Sequence, residues 1–196
     1  MEDKLYVLRI RLAGVEPAIW RRFLVPGTIS LDRLHDVIQI VMGWDDAHLH
    51  QFVIGTRSYT EKPESKDDGI ESGRYRLRDL IRRRGRAFRY IYDFGDYWDH
   101  EIVLEDGIDP LYAPSLLRCM DGERACPPES VGGAQGYADF LRYSAGLKRG
   151  KRSVSATASS GRTTFESERF CLEAINAELG KYVRWTRDRL CPWNAP

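Results

Sequence analysis

The first 43 residues contain two strand-like segments followed by an amphipathic helix, and this order constrains the fold more than any other feature of the chain. Residues 5–12 alternate between apolar and polar side chains, and one face consists of Tyr6, Leu8, Ile10 and Leu12. A period of two predicts a half-buried strand. A turn at residues 14–17 separates it from a second strand at residues 19–25, and so short a connection favours an antiparallel hairpin.

A helix is predicted between Ser30 and Gly43. Ser30 is a suitable N-cap, and Asp32 in the first turn favours the positive end of a helix dipole. Gly43 is a typical stop signal. The apolar stripe of this helix consists of Leu31, Leu34, Val37, Ile38 and Val41. A hairpin followed by a helix is the layout of a ubiquitin-like β-grasp.

The segments that follow predict more strands for the same sheet. Residues 48–54 alternate as a third strand, residues 61–73 form a polar loop, and residues 77–81 suggest a short helix. Residues 88–92 and 97–105 flank turn-forming residues and predict a hairpin. The predicted fold class is therefore α+β: a ubiquitin-like β-grasp-type mixed sheet with a crossing helix, plus an irregular and helical C-terminal extension.

The character of the chain changes after about residue 108, where prolines and glycines become frequent. We expect a core domain of residues 1–108 and a C-terminal extension of residues 109–196 that packs on it. The basic, small and polar residues from about 146 to 164 predict a mobile loop. The extension contains two predicted helices, at residues 137–144 and 170–185.

Net charge and hydropathy exclude several classes of protein. The net charge of +1 gives no global attraction to nucleic acid or anionic membranes, so any such binding needs a local patch. No apolar run approaches the roughly 20 residues of a membrane span, and the N-terminus lacks the features of a signal peptide. We therefore expect a cytoplasmic protein without membrane contact, whose four cysteines are mainly thiols or metal ligands.

Long motifs in a fixed order resemble one known family. They are LDRLHDVIQIVMGWDDAHLHQF (residues 31–52), FRYIYDFGDYWDHEIVLE (88–105), CMDGERACPPESVGGAQGYADFL (119–141) and, for a closing helix, FESERFCLEAINAEL (165–179). Together they resemble the plasmid pRiA4b ORF-3-like family, also labelled the TnpR passenger of certain insertion elements. The resemblance implies an α+β domain carried on mobile elements, without an established biochemical activity.

The TnpR label raises the question of recombinase chemistry. A serine recombinase needs a nucleophilic serine within an arginine-rich pocket that stabilises phosphate charge. Ser30 is at the predicted helix cap, and the other serines of the first hundred residues are in polar loops: Ser58, Ser65 and Ser72. None has the flanking pattern of such an enzyme, so the sequence does not predict a true resolvase.

Three histidines are candidate metal ligands. His48 and His50 are two residues apart on a predicted strand and project from one face, and His100 belongs to the apolar face of another strand. If these strands are neighbours, the three imidazoles could converge on zinc, with His35 of the helix as a further ligand. The alternative is that His100 is a hydrogen-bonded core residue and that His48 and His50 orient the entry to their strand.

Cys119 and Cys126 supply at most half of a structural zinc site, because six residues separate them and the tight C-x2-C spacing is absent from this pair. Zinc would also need His48, His50 or another distant ligand. The alternatives are buried thiols or a redox-labile disulfide. Buried thiols are favoured, since free cysteine behaves as a small hydrophobe.

Three aspartates surround the tip of the second predicted hairpin: Asp93, Asp96 and Asp99. Clustered carboxylates can bind calcium or magnesium, but the longer ligand pattern of an EF-hand is missing. Aspartate and glycine also form turns, in which Asp93 would accept hydrogen bonds from the turn backbone. The turn interpretation is favoured.

Basic residues form two clusters that could contact phosphates. The first follows the short helix and consists of Arg82, Arg83, Arg84 and Arg86; the second includes Lys148, Arg149, Lys151 and Arg152. A basic, flexible segment is a common non-specific nucleic-acid device. The alternative is a solvated loop in a protein whose charges balance.

Two functional hypotheses follow. The first is a non-enzymatic binding module that contacts an unknown protein or a nucleic acid, because strong structural motifs occur without a complete catalytic set. The second is a metal-dependent hydrolase or nuclease that uses the histidines, with zinc as the expected metal. No other cofactor is predicted.

Overall fold

The computed structural model describes residues 4–63, 65, 68–113, 115–149, 155–158 and 161–185. Its strands are β1 (Leu5–Leu12), β2 (Trp20–Pro26), β3 (His50–Ile54), β4 (Arg57–Thr60), β5 (Ile70–Glu71), β6 (Ala87–Tyr92), β7 (Trp98–Ile108), β8 (Arg118–Glu123), β9 (Ser155–Ala158) and β10 (Gly161–Thr164). Its α-helices are α1 (Leu31–Met42), α2 (Leu77–Leu80), α3 (Gly133–Arg149) and α4 (Leu172–Trp185). Short 3₁₀ helices occur at Ser72–Arg74 and Pro110–Tyr112.

Eight strands form one sheet in the order β5-β4-β3-β6-β7-β1-β2-β8, and β9 and β10 form a separate pair. The short β4–β5 pairing is parallel, and the other pairings of the large sheet are antiparallel. The predicted α+β class with a mixed sheet is therefore confirmed. Antiparallel neighbours follow from the short loops of the β1–β2, β3–β4 and β6–β7 hairpins.

The predicted helix is confirmed, from Leu31 to Met42, and its apolar stripe is buried against the sheet. Gly43 ends it in the left-handed conformation, at φ 90°, which glycine adopts without steric cost. Ser30 occupies the cap position, but its hydroxyl contacts the Asp32 carboxylate rather than a backbone N–H. Burial of the stripe, rather than a side-chain cap, therefore holds the start of this helix.

Three strands of the sheet are not predicted from the sequence: β4, β5 and β8. The first two are short, and β5 falls inside the segment expected to be a polar loop. β8 carries Asp121 and Gly122, which are rare in strands, yet it pairs with β2 along the edge of the sheet. Pairing with a neighbour overrides the weak local preference of these residues.

The sheet continues across the predicted boundary at residue 108, because β8 lies beside β2. The side-chain amide of Asn176 on α4 forms two hydrogen bonds with the backbone of Cys119. It accepts from the Cys119 N–H at 2.9 Å and donates to the Cys119 carbonyl at 3.0 Å. Tyr182 on the same helix donates to Asp36 of α1 at 2.7 Å. These bonds attach the end of the chain to both the sheet and α1.

The helices of the extension are longer or shorter than predicted. The helix expected at residues 137–144 runs from Gly133 to Arg149, and the final helix begins at Leu172. Of the loop expected to be mobile, 146–149 belong to α3 and eight further residues form β9 and β10; residues 150–154 and 159–160 lie outside the described part. Within that part, no helix combines the length and apolar character needed to cross a bilayer.

Candidate functional site

A cleft of about 320 Å³ runs beside α1 and is rich in carboxylates. Its walls come from α1, the loop after α1, the first residue of β3 and the segments around β4 and β5. Two cations line it, Arg33 and Lys62, against five acidic residues: Asp32, Asp36, Asp46, Glu61 and Glu71. The excess of acidic side chains makes the cleft suited to a cation rather than an anion.

A chain of hydrogen bonds fixes the orientation of His35 in this cleft. The Asp46 N–H donates to Gln39 Oε1 at 3.2 Å, so the amide nitrogen of Gln39 is the group that donates to the Tyr90 hydroxyl at 2.9 Å. Tyr90 is then free to donate its own proton to His35 Nδ1, 2.7 Å away. A neutral His35 consequently carries its proton on Nε2, which lies 2.7 Å from Asp46 Oδ1.

Local sequence explains how these side chains meet. His35 and Gln39 are four residues apart on α1, so they project from the same side of the helix. Asp46 adopts a left-handed backbone conformation, at φ 56°, in the loop after Gly43. The loop thereby turns the Asp46 carboxylate back toward the helix. Burial keeps the pKa of Tyr90 well above its usual range, so this group stays a phenol.

His50 packs directly on His35. Their ring centroids are 3.5 Å apart and the rings are nearly parallel, at 6°. Burial, with a smaller contribution from the neighbouring His35, lowers the pKa of His50 to about 3. Among the described residues, His50 Nε2 has no hydrogen-bond partner, and neither has Ser72 Oγ, which also lines the cleft.

The predicted set of metal ligands is not brought together. β6 lies between β3 and β7, so His50 is opposite Tyr92 and His100 is opposite Tyr90, with the two tyrosines between the two histidines. His48 precedes β3 instead of sharing its alternation, and its Nε2 is 3.6 Å from Asp93 Oδ2. The convergence expected from a same-face pair fails because an aromatic strand intervenes.

A different group does converge. His35, Asp36 and Asp46 each offer a ligand atom, and these atoms all lie within 4.8 Å of one another. Across the described ranges of the chain, this is the one group of three or more histidine, cysteine or carboxylate ligands at such distances. His35, which the sequence suggested as an additional ligand, is the one histidine it contains.

His100 fits the interpretation of a buried core histidine. Its side chain is fully buried, and Nδ1 is 3.1 Å from the Tyr90 carbonyl. Burial lowers its pKa to about 4. Trp44 and Tyr90 pack on the ring at centroid distances of 5.2 and 5.4 Å, so aromatic contacts rather than ligand atoms surround it.

Cys119 and Cys126 are thiols beside a buried cation. Cys119 is fully buried and its Sγ contacts the Asp121 carbonyl at 3.6 Å. Burial raises the pKa of Cys119 to about 11 and that of Cys126 to about 12, with the Arg21 guanidinium opposing the shift. Cys119 matches the favoured interpretation as a buried thiol, whereas Cys126 is only partly buried, and both groups are protonated near neutral pH.

Two aspartates of the second hairpin, Asp93 and Asp96, belong to the turn as predicted, whereas Asp99 lies in β7. Asp93 has φ 58°, and its Oδ1 accepts from the N–H groups of Gly95 and Asp96 at 2.9 and 3.3 Å. Asp96 Oδ2 accepts from the Gly132 N–H, and Asp99 forms two hydrogen bonds with Arg89. Their carboxylates are thus committed to the backbone or to an arginine.

The first basic cluster forms an exposed loop, residues 82–86, which we call the arginine loop. It connects α2 to β6, and Arg82 donates to the Asp79 carbonyl. Within the described ranges, its four arginines make no ion pair, whereas the exposed Arg11, Arg74, Arg89 and Arg142 each pair with a carboxylate. Of the second cluster, Lys148 and Arg149 end α3, and Lys151 and Arg152 lie outside the described residues.

Sequence reasoning missed Asp36, Asp46 and Ser72. In the sequence, Asp36 looks like an ordinary residue on the polar face of a helix, and Asp46 looks like one of two adjacent aspartates in a loop. Ser72, expected in a polar loop, begins a 3₁₀ helix and is fully buried. The one available signal was His35, which the sequence offered as a further ligand of the helix.

Comparison with known proteins identifies the family. The model of the plasmid pRiA4b ORF-3-like protein family matches residues 4–174. The uncharacterized protein y4hQ of Sinorhizobium fredii is 38% identical over 135 residues, which are 68% of this chain and 69% of that protein. The crystal structure of MM3350, a protein of unknown function from Methanosarcina mazei, is 26% identical, with a TM-score of 0.71 over 88% of this chain and 98% of that one. This chain therefore belongs to the plasmid pRiA4b ORF-3-like family.

Proposed function

We propose that this protein is a non-enzymatic binding module that contacts nucleic acid through the arginine loop. The observation that carries the proposal is the set of four exposed arginines within five residues, without carboxylate partners among the described residues. An unpaired guanidinium can form two parallel hydrogen bonds to a phosphate, and each neutralised phosphate releases counterions. With a net charge of +1, the chain would depend on this local patch for such binding.

The remaining parts of the proposal rest on the sequence. The β1–β2 hairpin followed by α1 supports a β-grasp-like frame, although the large sheet here is wider and mainly antiparallel. The family label TnpR supports a role on mobile elements, and the composition supports a cytoplasmic location. Recombinase chemistry is not part of the proposal.

Fluorescence anisotropy with labelled duplex DNA and RNA across a salt series tests the proposal. If the arginine loop neutralises up to four phosphates, the log–log salt slope should be about −3 to −4. The double variant Arg83→Gln/Arg84→Gln should lower the magnitude of that slope by about 2, since each lost phosphate contact removes about one.

The matched control is Arg11→Gln/Arg142→Gln, which changes the net charge equally but removes arginines that are paired with Glu16 and Asp139. Its salt slope should equal that of the unaltered protein. Absence of binding at about 20 mM salt, or an equal loss in both double variants, would overturn a nucleic-acid partner and leave a protein partner.

A second candidate, a metal-dependent hydrolase or nuclease, is favoured by the His35, Asp36 and Asp46 group. The same nucleic acids, incubated with the protein and Mn²⁺ or Zn²⁺, discriminate the two. Cleavage that disappears in an Asp46→Asn variant would move the assignment from binding module to enzyme.

A further inference from the structure

The lining of the cleft beside α1 includes two buried polar atoms without a partner among the described residues. His50 is 6% exposed and Ser72 is fully buried, and both line the cleft. His50 Nε2 and Ser72 Oγ make no hydrogen bond in the part of the chain that the structure describes. Buried polar atoms are normally satisfied, so two unpartnered atoms along one cleft indicate a site for a bound species.

The same cleft contains the converging ligand atoms of His35, Asp36 and Asp46. The acidic lining favours a cation, and one imidazole with two carboxylates is a mixed nitrogen and oxygen donor set. Calcium and magnesium prefer oxygen donors alone, whereas imidazole suits zinc and its neighbours and carboxylate suits manganese. The donor set therefore points to a divalent transition metal.

The surroundings hold these ligands in place. His35 Nδ1 lies 2.7 Å from the Tyr90 hydroxyl, which can accept a hydrogen bond as well as donate one, so the His35 proton can move from Nε2 to Nδ1 and leave Nε2 free for a metal. Such a second contact is typical of metal-bound histidines. Asp46 is anchored through its N–H to Gln39. Asp36 uses Oδ2 for both Arg33 and Tyr182, at 3.0 and 2.7 Å.

We propose that His35, Asp36 and Asp46 form a binding site for a divalent transition-metal ion of the zinc or manganese class, with His50 and Ser72 as the wall that faces it. The ion takes the place of the proton that His35 Nε2 and Asp46 Oδ1 share. This goes beyond the nucleic-acid proposal and does not depend on it: β6 begins next to the arginine loop and ends at Tyr92, opposite His50, so the two sites lie about 17 Å apart along the strand.

Equilibrium dialysis of the chelator-treated full chain against Zn²⁺ and Mn²⁺, followed by elemental analysis, tests the site. We expect one ion per chain, and much weaker uptake of Mg²⁺. Mn²⁺ is the decisive probe, because thiolates bind it poorly and the three described free cysteines then contribute little. A parallel thermal-unfolding series should show a midpoint that rises with metal concentration.

Asp46→Asn should lower the affinity for Mn²⁺ about 100-fold or more, since even second-sphere changes cost 10- to 100-fold. The matched control is Asp45→Asn, which makes the same charge change one residue away, outside the ligand group. His35→Gln is a second ligand variant, and circular dichroism checks that each variant is folded. No uptake of either ion, or equal losses in Asp45→Asn and Asp46→Asn, would overturn the proposal.

Discussion

Two buried polar clusters contact α1, and they differ in how their hydrogen bonds are satisfied. Arg21 of β2 is 2% exposed and donates to four backbone carbonyls at 2.8–2.9 Å: Val41, Trp20, Glu123 and Arg124. The Phe170 ring covers it at 4.9 Å. In the cleft, by contrast, His50 Nε2 and Ser72 Oγ have no partner in the described chain.

The difference separates a structural cluster from a candidate ligand site. Arg21 connects the end of α1 with the end of β8 by donating to the Val41, Glu123 and Arg124 carbonyls, and its bonds to Val41 and Arg124 are buried. The cluster also leaves no room for a side chain at position 122. A Cβ on Gly122 would lie 2.8 Å from Arg21 Cδ and 2.7 Å from the Phe170 ring. Arg21 is so fully hydrogen-bonded to the protein that it cannot also bind a ligand. His50 Nε2 and Ser72 Oγ in the cleft, which have no partner in the described chain, can still form hydrogen bonds.

The largest effect should come from removing Arg21. Arg21→Met removes the guanidinium that donates to the buried Val41 and Arg124 carbonyls, and we expect a loss of about 4 kcal/mol in the free energy of unfolding. Urea denaturation measures it. The control Arg11→Met removes an exposed arginine paired with Glu16 and should cost less than about 1 kcal/mol. Similar losses in the two variants would contradict a structural role for Arg21.

Acid should destabilise the protein through its buried histidines. The folded state holds the pKa of His50 at about 3 and that of His100 at about 4, whereas the unfolded chain takes up protons below about pH 6.5. The unfolded state therefore binds more protons in this window, and stability falls as the pH falls. From about pH 7.5 to pH 5, each histidine should cost about 2 kcal/mol in urea titrations.

A pH series on the His50→Leu variant isolates one of the two contributions. Its loss between about pH 7.5 and pH 5 should be smaller by about 2 kcal/mol than that of the unaltered protein. His48→Gln, which removes a partly exposed imidazole, serves as control. An unchanged pH dependence in His50→Leu would contradict the burial of a neutral His50.

The smallest effect should be that of His50→Leu itself at pH 7.5. Because Nε2 has no partner to lose and leucine is similar in size, we expect a change within about 1.5 kcal/mol in the free energy of unfolding. Calorimetry at that pH measures it beside Arg21→Met. A loss as large as that of Arg21→Met would remove the contrast between the two clusters.

Much of the fold could be predicted because its signals are local. The alternation of β1, the stripe of α1 and the turn at Asp93 depend on residues within a few positions of one another, and all three are confirmed. β8 could not be predicted, because its strand conformation depends on pairing with β2 about one hundred residues earlier.

The residues of the candidate site could be predicted only in part from the sequence. Same-face alternation pointed to His48 and His50, but β3 begins at His50, and Tyr90 and Tyr92 lie between His50 and His100. His35 came into consideration as a helical histidine, without an indication that the next loop would return Asp46 to it.

By itself, the sequence determined most of the central elements, the α+β class and the family motifs, because periodicity and turn chemistry act between near neighbours. The tertiary structure alone decided which polar groups meet: Tyr90 with His35 across 55 positions, and Arg21 with the Arg124 carbonyl across 103. Such pairs depend on strand order and on the placement of α1 over the sheet. Burial then decides their meaning, since a satisfied buried group stabilises the fold, whereas unsatisfied groups that line the same cleft favour a ligand.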